Sequence, residues 1–138
     1  MSVDVAEARR RVAGASVARL ATADERGRQH LVPICFAVEG DVLYSAVDSK
    51  PKRTTRLKRL DNIRLNPAVT VLVDHYEDDW SQLWWVRLRG AARVVTGGPE
   101  LERGIALLVE KYAQYREEPP QGPAIVVRVE EWRAWSAA

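Results

Sequence analysis

The sequence of 138 residues carries 21 Lys and Arg against 19 Asp and Glu, with 46% apolar residues and a single cysteine, Cys35. That length suits one domain over residues 1–138, large enough to hide roughly 70% of its unfolded surface. Balanced charge gives no global reason for binding nucleic acid, one cysteine excludes an internal disulfide framework, and no run reaches the ~18 apolar residues of a membrane span.

The opening MSVDVAEARRRV lacks the apolar core of a signal peptide, so a cytoplasmic protein is expected. Residues 3–14 predict a short helix, with Arg9, Arg10 and Arg11 mostly on its wet side and Gly14 to end it. SVARLATAD and QHLVPICFAV are β-rich runs around DERGR, a hairpin signal. EGD (39–41) is a second turn, and VLYSAV (42–47) a third strand. A helix is predicted from Lys52 to Asn66, with Pro51 at its start and Pro67 to stop it. AVTVLVDHY (68–76) is a strand and EDDWSQ a loop. LWWVRLRGAARVV (83–95) is a long strand in which Gly90 marks a bulge or bend. GGPELERGIALLVEKYAQY turns and then continues as a helix, burying Leu101, Ile105, Leu108, Val109 and Tyr112. After the loop EEPPQGP, AIVVRVEEW (124–132) closes the chain as a strand. The fold class is mainly β with α: six antiparallel strands with flanking helices. Closure into a barrel removes the exposed edges.

KPKRTTRLKRL (50–60) puts six basic residues into eleven positions. On a helix, Lys52, Arg56 and Arg59 form one stripe, with Thr55 and Asn62 beside it. Ile63 falls within that stripe, so the stripe borders the buried side. Lys50 and Arg53 add charge at the helix start, where free backbone N–H groups favour an anion. These parts suit a phosphate ester; the alternative is a solvated helix face. Nucleic acid is disfavoured, because the aromatics of 76–85 sit among Asp74, Glu77, Asp78 and Asp79. Trp84 and Trp85 point to opposite faces of a strand. One can fill the barrel, and the other needs cover from a partner subunit or a flat ligand.

His30 and His75 lack ligand spacing, and one cysteine makes no zinc pattern, so no metal site is expected. Cys35 reads as a small buried hydrophobe. Ser45 and Ser81 have no His–Asp context, and no catalytic residue can be named. A basic helix start, an aromatic wall and no acid–base machinery suit a redox cofactor, which brings its own reactive ring.

VARLATADERGRQHLVPICFAVEGDVLYSAVD, followed by KPKR and then NIRLNPAVTVLVD, resembles the pyridoxamine-phosphate-oxidase-like split β-barrel family over residues 15–130. KPKRTTRLKRLDNIRLNP and DWSQLWWVRLRGAARV are most similar to its actinobacterial branch, which uses the deazaflavin coenzyme F420 in place of FMN. The resemblance implies a homodimer with sites at the interface, and a ring lined by Gln29, His30, Leu31, Val32 and Pro33. It implies that Tyr44 and Ser45 also touch the cofactor. For the phosphate, counting forward from the strand selects Lys50, Lys52 and Arg53. Counting back from Asn66 and Pro67 selects Arg59 with Asn62. Both sets stay open, with Arg56 between them. Trp85, five residues before Gly90, matches a position that approaches the cofactor, often from the neighbouring subunit. The implied activity is an F420-dependent reductase passing hydride to a small conjugated acceptor. The alternatives are an FMN-dependent oxidoreductase and a non-catalytic coenzyme carrier.

Overall fold

Seven strands join in one antiparallel sheet with the order β2-β1-β5-β6-β7-β4-β3. The computed structural model describes residues 3–47 and 57–137. In chain order the elements are α1 (Val5–Gly14), β1 (Ala18–Ala23), β2 (Gln29–Ile34), β3 (Ala37–Glu39), β4 (Val42–Ala46), α2 (Lys58–Leu65), β5 (Ala68–His75), a 3₁₀ turn (Trp80–Gln82), β6 (Trp84–Val95), α3 (Pro99–Lys111), α4 (Ala113–Glu117) and β7 (Ala124–Ser136).

β2 and β3 lie at opposite edges of the sheet, yet only Cys35 and Phe36 separate them. Three Cα steps keep Ile34 and Ala37 within about 11 Å. The two edges therefore meet at this point, and the sheet curls into a half-barrel. This junction also makes the strand count seven rather than six. The expected run QHLVPICFAV breaks where Phe36 turns fully into the core and its N–H donates to the Tyr112 hydroxyl at 3.0 Å.

The inner face is alternate residues of the strands: Leu20, Leu43, Val71, Val73, Val86, Leu88 and Val127. α1 adds Ala8 and Val12, and α2 adds Leu60 and Ile63. α3 covers the opposite face of β3 and β4. It fits closely: a Cβ on Gly104 would come 2.7 Å from Cδ1 of Tyr44. Over β2, β1, β5 and the adjoining parts of β6 and β7, no helix among the described residues covers the outer face, and Leu31 there is 66% exposed.

The bulge expected at Gly90 is present as a register shift between Arg89 and Gly90 against β7. A Cβ on Gly90 would stand 2.1 Å from the Arg128 carbonyl oxygen, so only glycine fits. Three expectations need correction. Leu57 is extended (φ −86°, ψ 142°), so the helix predicted from Lys52 cannot run unbroken to Asn66; it begins at Lys58. The helix after Gly98 breaks at Tyr112, whose hydroxyl stands 2.9 Å from the Ser16 carbonyl and 3.1 Å from that of Phe36. That anchor pins the chain and turns it into α4. β7 runs to Ser136 rather than Trp132, because its last residues pair fully with β6. No described helix is long and apolar enough to cross a membrane.

Candidate functional site

A cleft of about 270 Å³ opens where β2 crosses to β3. Its lining comes from five places in the chain. Pro33 and Ile34 end β2 and Cys35 follows, while Ser45 and Ala46 end β4 and Val47 follows. Arg59 of α2, Val17 ahead of β1 and Tyr115 of α4 complete it. Ser45 is buried, and its hydroxyl donates to the Cys35 carbonyl at 2.8 Å, tying the two strand ends together. Asp24 stiffens the hairpin that presents β2. Its carboxylate accepts from the backbone N–H groups of Arg26 and Arg28, each at 2.9 Å. Those bonds, the Arg28 one foremost, hold the carboxyl below the ordinary aspartate range.

Behind Cys35 stands Lys111. Its Nζ lies 3.7 Å from the Phe36 ring centroid, has no accessible surface and finds no hydrogen-bond acceptor among the described residues. The rest of the side chain is partly exposed. Burial pushes this amine down to about 8, against the opposing influence of Cys35.

The residues expected at the site separate into groups. Pro33, Ser45 and Arg59 meet in the cleft. Gln29 and Leu31 leave β2 on the outer face, where Gln29 lines a broader groove of about 620 Å³ with Thr70, Arg89 and Glu131. Val32 packs against the core and His30 stands on the same side of β2. The Tyr44 ring is buried against Gly104 of α3. Asn62 is 1% exposed, and its Nδ2 donates to Thr22 Oγ1 at 3.0 Å. Trp85 faces outward opposite Trp135, while Trp84 turns inward under the Arg11 guanidinium. Lys50, Lys52, Arg53 and Arg56 lie outside the described residues.

Cys35 is exposed in the cleft rather than buried, because the chain crosses between sheet edges there and Phe36 takes the inward position. Val17, Cys35, Ala46, Val47 and Tyr115 are lining residues that the sequence did not point to, because they reach the cleft only through the packing of the folded chain. Chemically, the cleft offers apolar walls from Val17, Pro33, Ile34, Ala46 and Val47 with one guanidinium. That suits a flat apolar body bearing an anion. No group of three or more His, Cys, Asp or Glu able to hold a metal occurs among the described residues.

The family model described as pyridoxamine 5'-phosphate oxidase matches residues 5–136. No curated protein sequence matches the chain. Among solved structures, a conserved hypothetical protein of Mycobacterium tuberculosis is 21% identical at a TM-score of 0.76, covering 98% of this chain and 86% of that one. A FAD-binding protein of Mesorhizobium loti is 19% identical at 0.72, covering 97% and 95%. The haem storage protein HutZ of Vibrio cholerae is 16% identical at 0.70, covering 96% and 93%. At these identities the likeness shows a shared fold.

Proposed function

From the premise that the chain belongs to the pyridoxamine 5'-phosphate oxidase family, whose split barrel it shares, we propose that it is an oxidoreductase whose coenzyme sits in the cleft of Pro33, Ser45 and Arg59. The coenzyme of this reading is the deazaflavin F420, with FMN as the alternative. One observation carries it: residues far apart in sequence that the resemblance assigned to a flavin-type cofactor converge on one apolar cleft with a guanidinium in its wall.

The lining fits such a group in kind. Arg59 would take an anionic substituent through charge-assisted hydrogen bonds. Pro33, Ile34 and Val47 would flank a ring and keep water from it. The cleft is small against the roughly 300–1,000 Å³ of a complete ligand pocket. A homodimer resolves this, because the uncovered outer face with Leu31 and Trp85 would then supply the missing wall. When bound, a reduced deazaflavin or flavin supplies a hydride to a conjugated acceptor. The chain itself contributes orientation and a dry surface.

Titration of the purified protein with F420 and with FMN, followed by fluorescence anisotropy, tests the reading. Binding of F420 alone supports it, and binding of FMN alone moves the alternative forward. Binding with no turnover of any acceptor makes the protein a carrier, and binding of neither overturns the proposal. The FAD-binding and haem-storage relatives of the fold make FAD and haem the natural control ligands.

A further inference from the structure

The crossing that joins the two sheet edges is held by side chains. Cys35 and Phe36 lie in no strand, and their backbone groups go to two hydroxyls. The Cys35 carbonyl accepts from Ser45 Oγ at 2.8 Å. The Phe36 N–H donates to the Tyr112 hydroxyl at 3.0 Å, and the same oxygen stands 3.1 Å from the Phe36 carbonyl and 2.9 Å from the Ser16 carbonyl. A hydroxyl has one proton and two lone pairs, so Tyr112 accepts from Phe36 while giving its proton to one carbonyl at a time. Burial raises its ionisation above the ordinary tyrosine range, against the lowering effect of the Phe36 bond, so it remains a donor at neutral pH.

Tyr112 does not itself line the cleft, but it grips the neighbours of three residues that do. Val17 follows Ser16, and Cys35 precedes Phe36. The Tyr115 ring meets the Tyr112 ring edge-on, 5.6 Å between centroids. Tyr112 is also the extended residue between α3 and α4, so a shift of it would carry Tyr115 along. The facing wall is different in kind: Pro33, Ile34, Ser45 and Ala46 sit in strands that are paired with β1 and β7. One side of the cleft is thus fixed by ladders, and the other hangs on a single hydroxyl and its ring. A gap of only ~0.5–1 Å forfeits about a quarter to a half of a dispersion contact, so the spacing of the two sides decides how well a flat body is held.

We propose that Tyr112 is a positioning residue of the coenzyme site: its side chain sets the spacing of Val17, Cys35 and Tyr115 from the strand-borne wall, and so the fit of the cleft to a flat ring. The inference rests on the coenzyme reading above.

The test compares Tyr112→Phe, which removes one oxygen atom, with Val73→Ala, a fully buried core position outside the lining. Melting temperature, affinity for F420 and for FMN by fluorescence anisotropy, and amide exchange at Phe36 by NMR are measured on the whole chain. Both substitutions lower the melting temperature. Only Tyr112→Phe should weaken coenzyme binding, by about 3- to 10-fold. Only there should exchange at Phe36 accelerate beyond what the loss of global stability accounts for. In the wild type, saturating coenzyme should in turn slow exchange at Phe36 more than at Val73. Unchanged affinity in Tyr112→Phe overturns the inference, as does an equal loss in Val73→Ala, which would make the effect one of general loosening. Exchange at Phe36 that ignores bound coenzyme overturns it even where Tyr112→Phe does not fold. Binding that survives Tyr112→Phe leaves the functional reading standing, whereas binding of neither coenzyme by the wild type sinks both.

Discussion

Asn62 gives the sharpest way to separate scaffold from site. The resemblance put it beside the cofactor phosphate, but its amide donates at 3.0 Å to the hydroxyl of Thr22, and the two residues are 1% and 3% exposed. Asn62→Ala removes a hydrogen bond worth about 0.5–1.5 kcal/mol and leaves the Thr22 hydroxyl buried without that partner, a further ~1–3 kcal/mol. Because a hydroxyl can rotate toward another acceptor, the expected loss is about 2–3 kcal/mol. With a urea m-value of ~1–3 kcal/mol/M, the unfolding midpoint should fall by roughly 1–2 M at an unchanged slope. Thr22→Val removes the other partner, and the double variant should lose less than the sum of the two singles. Urea denaturation of all four proteins measures this. Stability within about 0.5 kcal/mol of wild type, the usual range for an uninvolved surface position, together with weakened coenzyme binding, would refute the reasoning and make Asn62 a ligand contact.

Two further outcomes follow from the packing. Gly90→Ala drives a methyl into the Arg128 carbonyl at 2.1 Å, so the bulge must move; a loss of about 3 kcal/mol or more is expected in the same assay, and a neutral result would mean the bulge is not fixed there. Lys111 has a folded-state pKa of about 8 against an ordinary 10.5, so the unfolded chain binds the proton more tightly. Stability from this group therefore rises as pH climbs from about 8 toward 10.5. Lys111→Met should be more stable than wild type at pH 7, by on the order of 1–2 kcal/mol after discounting for the partly exposed side chain. The advantage should vanish near pH 10.5, as read by melting temperatures across the range; parallel curves for the two proteins would contradict the burial argument.

The strands were legible because their alternation follows the period of a pleated sheet with one buried face. Gly90 was legible because glycine within a β-rich run signals a bulge. The break at Cys35 and Phe36 was not: PICFA is apolar throughout, and what divides it is the meeting of the two sheet edges, a property of the closed sheet. The break at Tyr112 likewise depends on one hydroxyl reaching Ser16 and Phe36, which lie far away in sequence. For the site, the resemblance picked out Pro33, Ser45 and Arg59 by local spacing. It could not find Val17 or Tyr115, which reach the cleft only through the packing of other elements.

The central claim is that Arg59 anchors the coenzyme in the cleft between the ends of β2 and β4. The most direct measurement is the affinity of Arg59→Ala for F420 and for FMN by fluorescence anisotropy, with melting temperatures run alongside. Loss of a charge-assisted hydrogen bond worth ~1.5–3 kcal/mol predicts affinity weakened about 10- to 150-fold for whichever coenzyme the wild type binds, in a protein that stays folded. Undiminished affinity in that variant would place the coenzyme elsewhere and contradict the account.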